Sequence, residues 1–230
     1  MEKIIILFIV TSHSVVGDTG NPTGVWFEEL STPYYKFIDA GYEVEVVSIS
    51  GGDIPIDPRS QEEAGKNPES VERFLADNIA MSKIKATPSI DNIDTRKYSA
   101  IFLPGGHGTM WDYPENKNLA NIVSKTLSDN KIVAAVCHGP AGLVSAKDAN
   151  GDSIVKGKTV AAFTNSEEEA VELTDVVPFL LETRLKELGA NFSSVEDFQP
   201  HAVADGNLIT GQNPASSEKV AELVIKKLNK

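Results

Sequence analysis

Only one of the 230 residues is a cysteine, Cys137. A single thiol excludes an intramolecular disulfide framework and any metal site built from several cysteines. It suits a reducing compartment, where a free thiol persists. Histidine is also scarce: His13, His107, His138 and His201 are scattered and lack metal-ligand spacing, so no metal is expected. Positive charge is in deficit, with 21 Lys and Arg against 33 Asp and Glu and a net charge of −12. A surface this acidic repels phosphate backbones, so nucleic acid is not an expected partner. The phosphate-cradling pattern GxxxxGK[ST] is missing, as is GxGxxG between a strand and a helix. The apolar run at residues 4–10 is too short to span a bilayer, and no small-residue cleavage site comes after it. These absences predict a cytoplasmic protein that does not enter the membrane.

Hydrophobic residues make up 41% and charged residues 23%, enough apolar content for a globular core. The length allows one generous α/β domain or two small ones. Residues 4–10 are continuous and β-branched, as in a central parallel strand covered on both faces. A Ser-, Gly- and Asp-bearing loop at 11–24 leads into an amphipathic helix over 25–39, closed by Gly41, and a strand over 43–49. Residues 50–88 are rich in Pro, Gly and charge, and read as a surface insertion with one helix near 68–81. Next come strands at 100–103, 132–136 and 159–163 and helices at 118–127 and 176–188. Short strands at 192–195, 202–203 and 208–210 precede a terminal helix over 214–228. Asn150-Gly151 is a hairpin signal, and Ser166 is an N-cap candidate with Glu169 three residues on. Alternating strands and helices predict a single α/β domain over 1–230, a doubly wound three-layer sandwich with a mainly parallel central sheet and an insertion at about 50–90.

In such sheets, sites form outside the carboxyl ends of the strands. Four segments fall there: the 11–24 loop with its adjoining helix, the Pro104-Gly105-Gly106-His107-Gly108 loop, the turn at Cys137, and the acidic turn after Phe163. Cys137 lies where a buried strand meets a sharp turn and a helix start, the logic of a nucleophile elbow. The plainer alternative is a buried structural thiol, since free cysteine packs as a small hydrophobe. His-Gly-Pro directly after it, and a helix N-terminus that would depress the thiol pKa, favour a reactive role. The His138 N–H comes directly after the nucleophile and is placed for an oxyanion hole, and its ring is a candidate general base. Adjacent side chains usually point apart, so contact between that ring and the thiol is not required by the sequence. Gly106 is the second candidate oxyanion donor, because glycine backbone approaches a developing charge closely. Glu28 and Glu29 share the first helix; a buried one near the thiol would have a raised pKa and could shuttle a proton. Glu167, Glu168 and Glu169 pose the same choice: most are expected in solvent, with one placed to orient His138.

The segments A-A-V-C-H-G-P-A, G-G-H-G-T-x-x-D-Y-P, T-G-V-W-F-E-E, F-T-N-S-E-E and T-G-Q-N-P-A-S together resemble the ThiJ/PfpI superfamily over nearly the whole chain. Within it they resemble the heat-shock-type branch of glutathione-independent glyoxalases (glyoxalase III) and holding chaperones. The resemblance implies a flavodoxin-like sandwich, a homodimer and no cofactor. It maps the elbow nucleophile to Cys137, the adjacent histidine to His138 and the helix glutamate to Glu29 rather than Glu28. It maps the acid that orients the histidine to Glu168, with Glu169 as the alternative, and the oxyanion donors to Gly106 and the His138 backbone. The implied activity is that of a lyase of the D-lactate dehydratase class, turning methylglyoxal or a similar 2-oxoaldehyde and water into lactate or another 2-hydroxy acid. Alternatives within the resemblance are a stress chaperone holding unfolded client proteins, and a cysteine-dependent deglycase or peptidase. A peptidase needs an open cleft; a narrow pocket capped by Trp26 or Trp111 would speak against it. Departures concentrate in the 50–88 loops and bear on substrate access.

Overall fold

Three layers are built on one twisted sheet in the computed structural model, which describes residues 3–230. The chain runs β1 (Ile5–Val10), α1 (Phe27–Asp39), β2 (Glu43–Ser48), α2 (Glu69–Ala76), α3 (Asn78–Lys83) and β3 (Ala100–Leu103). It continues through α4 (Thr109–Asp112), α5 (Lys117–Ser128), β4 (Ile132–Val136), β5 (Thr159–Val160), α6 (Asn165–Ala170) and α7 (Leu181–Glu187). Last come β6 (Asn191–Phe192), β7 (Ala202–Asp205), β8 (Leu208–Gly211) and α8 (Ser217–Leu228). The main sheet has the order β2-β1-β3-β4-β8-β7, parallel except for the antiparallel edge strand β7. Its five parallel strands have the flavodoxin-like order, as expected.

Strand alternation explains the two cores. Ile6, Phe8 and Val10 face α1, α2 and α8, whereas Leu7 and Ile9 face α5 and α7. Both faces are covered, so β1 has no need of polar residues. Phe8 stacks on Phe102 at 4.8 Å and meets Phe37 edge-on at 5.9 Å, which locks α1 onto the sheet. That packing fixes the first turn of α1, and with it Glu29, beside the carboxyl ends of β3 and β4.

Several boundaries differ from the sequence expectation. The helix near 68–81 is two helices, because Asp77 leaves the helical region and caps α3 through Ile79 N and Ala80 N. The helix expected over 176–188 starts only at Leu181: Pro178 disfavours helical backbone at Val177. The strand expected over 159–163 stops at Val160 and pairs with β6 in a separate two-stranded sheet. Beyond it, Ala161 N donates to Thr210 Oγ1 and Phe163 N to the Cys137 carbonyl, drawing the chain across the ends of β8 and β4. The turn around Asn150-Gly151 is there, closed by a bridge between Lys147 and Ser153. The insertion is stitched to the site: Val25 N donates to Pro55 O and Asp57 N returns to Val25 O. No described helix is long and apolar enough to cross a membrane.

Candidate active site

β4 ends at Val136, and Cys137 comes next with φ +61°, a left-handed conformation that costs an L-residue about 1–2 kcal/mol. The surroundings hold it there: Cys137 N donates to Gly211 O at 3.0 Å, and its carbonyl accepts from Phe163 N at 2.9 Å. Gly139 lets the next turn close, since a Cβ there would sit 2.2 Å from Leu103 O. That turn is a short 3-10 segment, Gly139–Leu143, and not the α-helix start expected.

That difference matters for the thiol. Cys137 is buried; desolvation first, and then its contact with the Glu29 carboxyl, push its pKa well above that of a free cysteine. The His138 N–H pulls the other way and does not prevail. The expected depression by a helix N-terminus is therefore corrected: at rest the group is a neutral thiol. Its proton has a nearby acceptor, because His138 Nδ1 lies 3.4 Å from Sγ. Here adjacent side chains do meet, since the strained backbone at Cys137 turns both toward one cavity.

His138 Nε2 lies 2.7 Å from Glu168 Oε2, whereas Glu169 is exposed. Glu168 sits on α6, whose N-cap is Thr164: its hydroxyl accepts from Glu167 N while Glu167 Oε2 accepts from Thr164 N. The expected cap pairing of Ser166 with Glu169 is replaced by this one, two positions earlier. Glu167 is also buried and ties in the neighbouring loops, accepting from Phe198 N, Gln212 Nε2 and Asn213 Nδ2. So two of the three glutamates expected mostly in solvent are buried, Glu167 in a structural network and Glu168 on the histidines. Burial alone would raise the Glu168 carboxyl; the two imidazoles that donate to it outweigh that and hold it far below the usual carboxylate range.

The second imidazole is His107, whose Nε2 lies 2.6 Å from Glu168 Oε1. Its ring centroid is 4.1 Å from that of His138. The two histidines are thus not scattered in space, and the ligand atoms of His107, His138 and Glu168 fall within 4.8 Å of one another. A divalent ion could enter this set only by displacing both imidazole–carboxylate bonds. His107 is not among the site residues expected from the sequence, where the Gly-rich loop counts only for its backbone; a histidine at a strand's carboxyl end is the available signal.

Glu29 is fully buried, with Oε2 accepting from Gly105 N at 2.6 Å. Desolvation raises its pKa well above the ordinary 4.5, against the Cys137 thiol and Gly105 N–H and with the charges of Glu28 and Asp57. Oε1 has no partner at hydrogen-bond geometry, although the thiol lies against the carboxyl. Glu28, one position earlier, is only partly buried. Gly106 has φ +108°, and a Cβ there would lie 2.1 Å from Gly24 O. The Gly106 N–H donates to no carbonyl or side-chain oxygen among the described residues. Gly106, Cys137 and His138 open into a cavity of about 320 Å³ walled by Trp26, Phe163 and Phe198, with Arg59 at its edge. Trp111 does not cap it and stacks on His13 instead.

The model of the DJ-1/PfpI family matches residues 23–227. The chain belongs to the DJ-1/PfpI family. Among members, it is 32% identical to a Saccharomyces cerevisiae protein named glutathione-independent glyoxalase HSP31, over 95% of each chain. It is 34% identical to the Schizosaccharomyces pombe glutathione-independent glyoxalase hsp3101, over 90% of this chain and 88% of that one. Of solved DJ-1/PfpI folds, glyoxalase III from Candida albicans superposes with TM-score 0.88 at 30% identity, covering 97% of this chain and 96% of that one. Rapid Encystment Protein 24 KDa from Francisella tularensis superposes with TM-score 0.93 at 41% identity, covering 98% and 99%.

Proposed function

We propose that this protein is a glutathione-independent glyoxalase that converts methylglyoxal, or a similar 2-oxoaldehyde, and water to lactate or the matching 2-hydroxy acid. The observation that carries the reading is one thiol flanked by two proton carriers. His138 Nδ1 lies 3.4 Å from Sγ, and the buried carboxyl of Glu29 rests against the same sulfur. Relatives named for this activity over nearly their full length support it.

The resting thiol is neutral, so addition begins with proton transfer to His138 Nδ1, held by Glu168. The Cys137 sulfur bonds to the aldehyde carbon C1, and the oxygen takes up a proton to give a hemithioacetal. His138 then removes the C1 proton, and the electron pair moves into an enediolate whose charge faces the Gly106 and His138 N–H groups. Glu29, protonated by virtue of its burial, relays a proton so that C2 is protonated while C1 becomes a thioester carbonyl. Water cleaves the thioester, releasing the 2-hydroxy acid and restoring the thiol. No net redox change occurs: C1 is oxidised and C2 reduced within one molecule.

The cavity's size and aromatic wall favour a small aldehyde over a polypeptide. The test is lactate production from methylglyoxal without glutathione. Turnover that disappears in Cys137→Ala is expected; no turnover in the unaltered protein, or unchanged turnover in that variant, sinks the reading.

A further inference from the structure

Arg59 belongs to the 50–88 insertion, far in sequence from the thiol, yet it reaches the histidine pair. Its Nε and Nη2 clamp the fully buried Asp57 at 3.0 and 2.6 Å, and Asp57 is also held by Thr23 Oγ1 at 2.8 Å. From that anchorage Nη2 lies 3.1 Å from His107 Nδ1. A guanidinium only donates, so Nδ1 must accept and carries no proton. The one proton of the neutral His107 ring is therefore on Nε2, donated to Glu168 Oε1 at 2.6 Å. Burial keeps this ring neutral, with a pKa lowered to about 4. Glu168, kept ionised in part by the His107 donor, can only accept, so its other oxygen Oε2 takes the Nε2 proton of His138 at 2.7 Å. A histidine that donates from Nε2 in its neutral form presents a bare Nδ1 to the thiol.

We propose that His107, pinned by Arg59, is a positioning residue that fixes the His138 tautomer through their shared carboxylate. The chain of donors runs in one direction, Arg59 to His107 to Glu168, and leaves His138 one way to bind. The insertion loop thereby reaches the proton acceptor of the thiol. The effect on turnover rests on the glyoxalase reading; the proton assignment does not.

Both parts can be tested on full-length protein labelled with ¹⁵N histidine, with His107→Gln and His138→Gln used to assign the ring nitrogens. The unaltered protein is expected to show both His107 and His138 protonated at Nε2 and bare at Nδ1. In His107→Leu the His138 signals should move toward a mixture of tautomers. With methylglyoxal, kcat should fall about 10- to 100-fold and KM change less than about twofold, the range for losing one hydrogen bond to a charged group. His107→Gln can keep a donor near Oε1 and should recover most of that loss. Arg59→Met should leave the fold intact and give a mixed His107 signal. A proton on Nδ1 of either ring in the unaltered protein overturns the proposal. So does a His107→Leu variant that keeps both the His138 signal and kcat. If that variant does not fold, an unchanged His107 signal in Arg59→Met overturns it instead. Expected nitrogen signals without any methylglyoxal turnover would sustain the assignment and sink the glyoxalase reading.

Discussion

Glu29 keeps a proton that an exposed glutamate would lose, because its whole side chain is out of water. Its folded pKa lies above the unfolded value of 4.5, so between those two values the unfolded chain has released a proton that the native state retains. Stability from this group is complete below the unfolded pKa and is lost as pH rises through the folded one. Glu29→Gln keeps the shape and removes the titration. Its melting temperature should fall less than that of the unaltered protein between about pH 5 and pH 8. Turnover should drop at least about tenfold, a loss in the range for general acid–base groups. Parallel melting curves for the two proteins across that pH range would contradict the burial argument. The choice of Glu29 over Glu28 was carried in the sequence only by a motif, since both sit in the first helical turn; packing of α1 against Phe8 and Phe102 decides which turns inward. Arg59 was not legible at all. It lies in a stretch whose composition reads as surface, and only the pairing of Val25 with residues 55–57 brings it to the site.

Elements hold these residues through backbone chemistry that is partly local. Thr164 caps α6 and so sets where Glu168 points. Thr164→Ala should cost about 1 kcal/mol in unfolding free energy, the usual effect of a lost N-cap, and should lower kcat more than such a loss on a remote helix. Equal kcat in Thr164→Ala and the unaltered protein would show that α6 needs no cap to aim Glu168. Gly106 and Gly157 separate strain from crowding, since both have positive φ but only Gly106 is crowded by backbone. Gly157→Ala should cost about 1–2 kcal/mol, the strain alone, and Gly106→Ala clearly more, read from urea denaturation. The parallel strands β1 to β4 and the longer helices α1, α5 and α8 could be read from hydrophobic patterning because those patterns are local. The helix boundaries at Asp77 and Pro178 could have been placed from side-chain chemistry alone. The short β5 could not: its length is set by hydrogen bonds to Thr210 and Cys137, residues distant in sequence.

The whole molecule carries a net charge of −12, and that charge acts on folding and on substrate in different ways. Like charges on a compact surface repel one another more than in an expanded chain, so the excess destabilises the native state at low salt. Raising ionic strength from about 0.01 M to about 0.15 M shortens the screening length from about 30 Å to about 8 Å, well within the protein's dimensions. The melting temperature should therefore rise by a few degrees over that range. A neutral 2-oxoaldehyde feels no such field, so kcat/KM for methylglyoxal should stay within about twofold across the same titration. An anionic substrate would be repelled by the overall charge and would gain from salt, unless the Arg59 guanidinium at the cavity edge dominates locally, in which case salt would slow it. The sign of the salt effect on kcat/KM thus tells which field a substrate meets. A steep response with methylglyoxal itself would mean that binding depends on the charge state of the site and not on the cavity's aromatic wall.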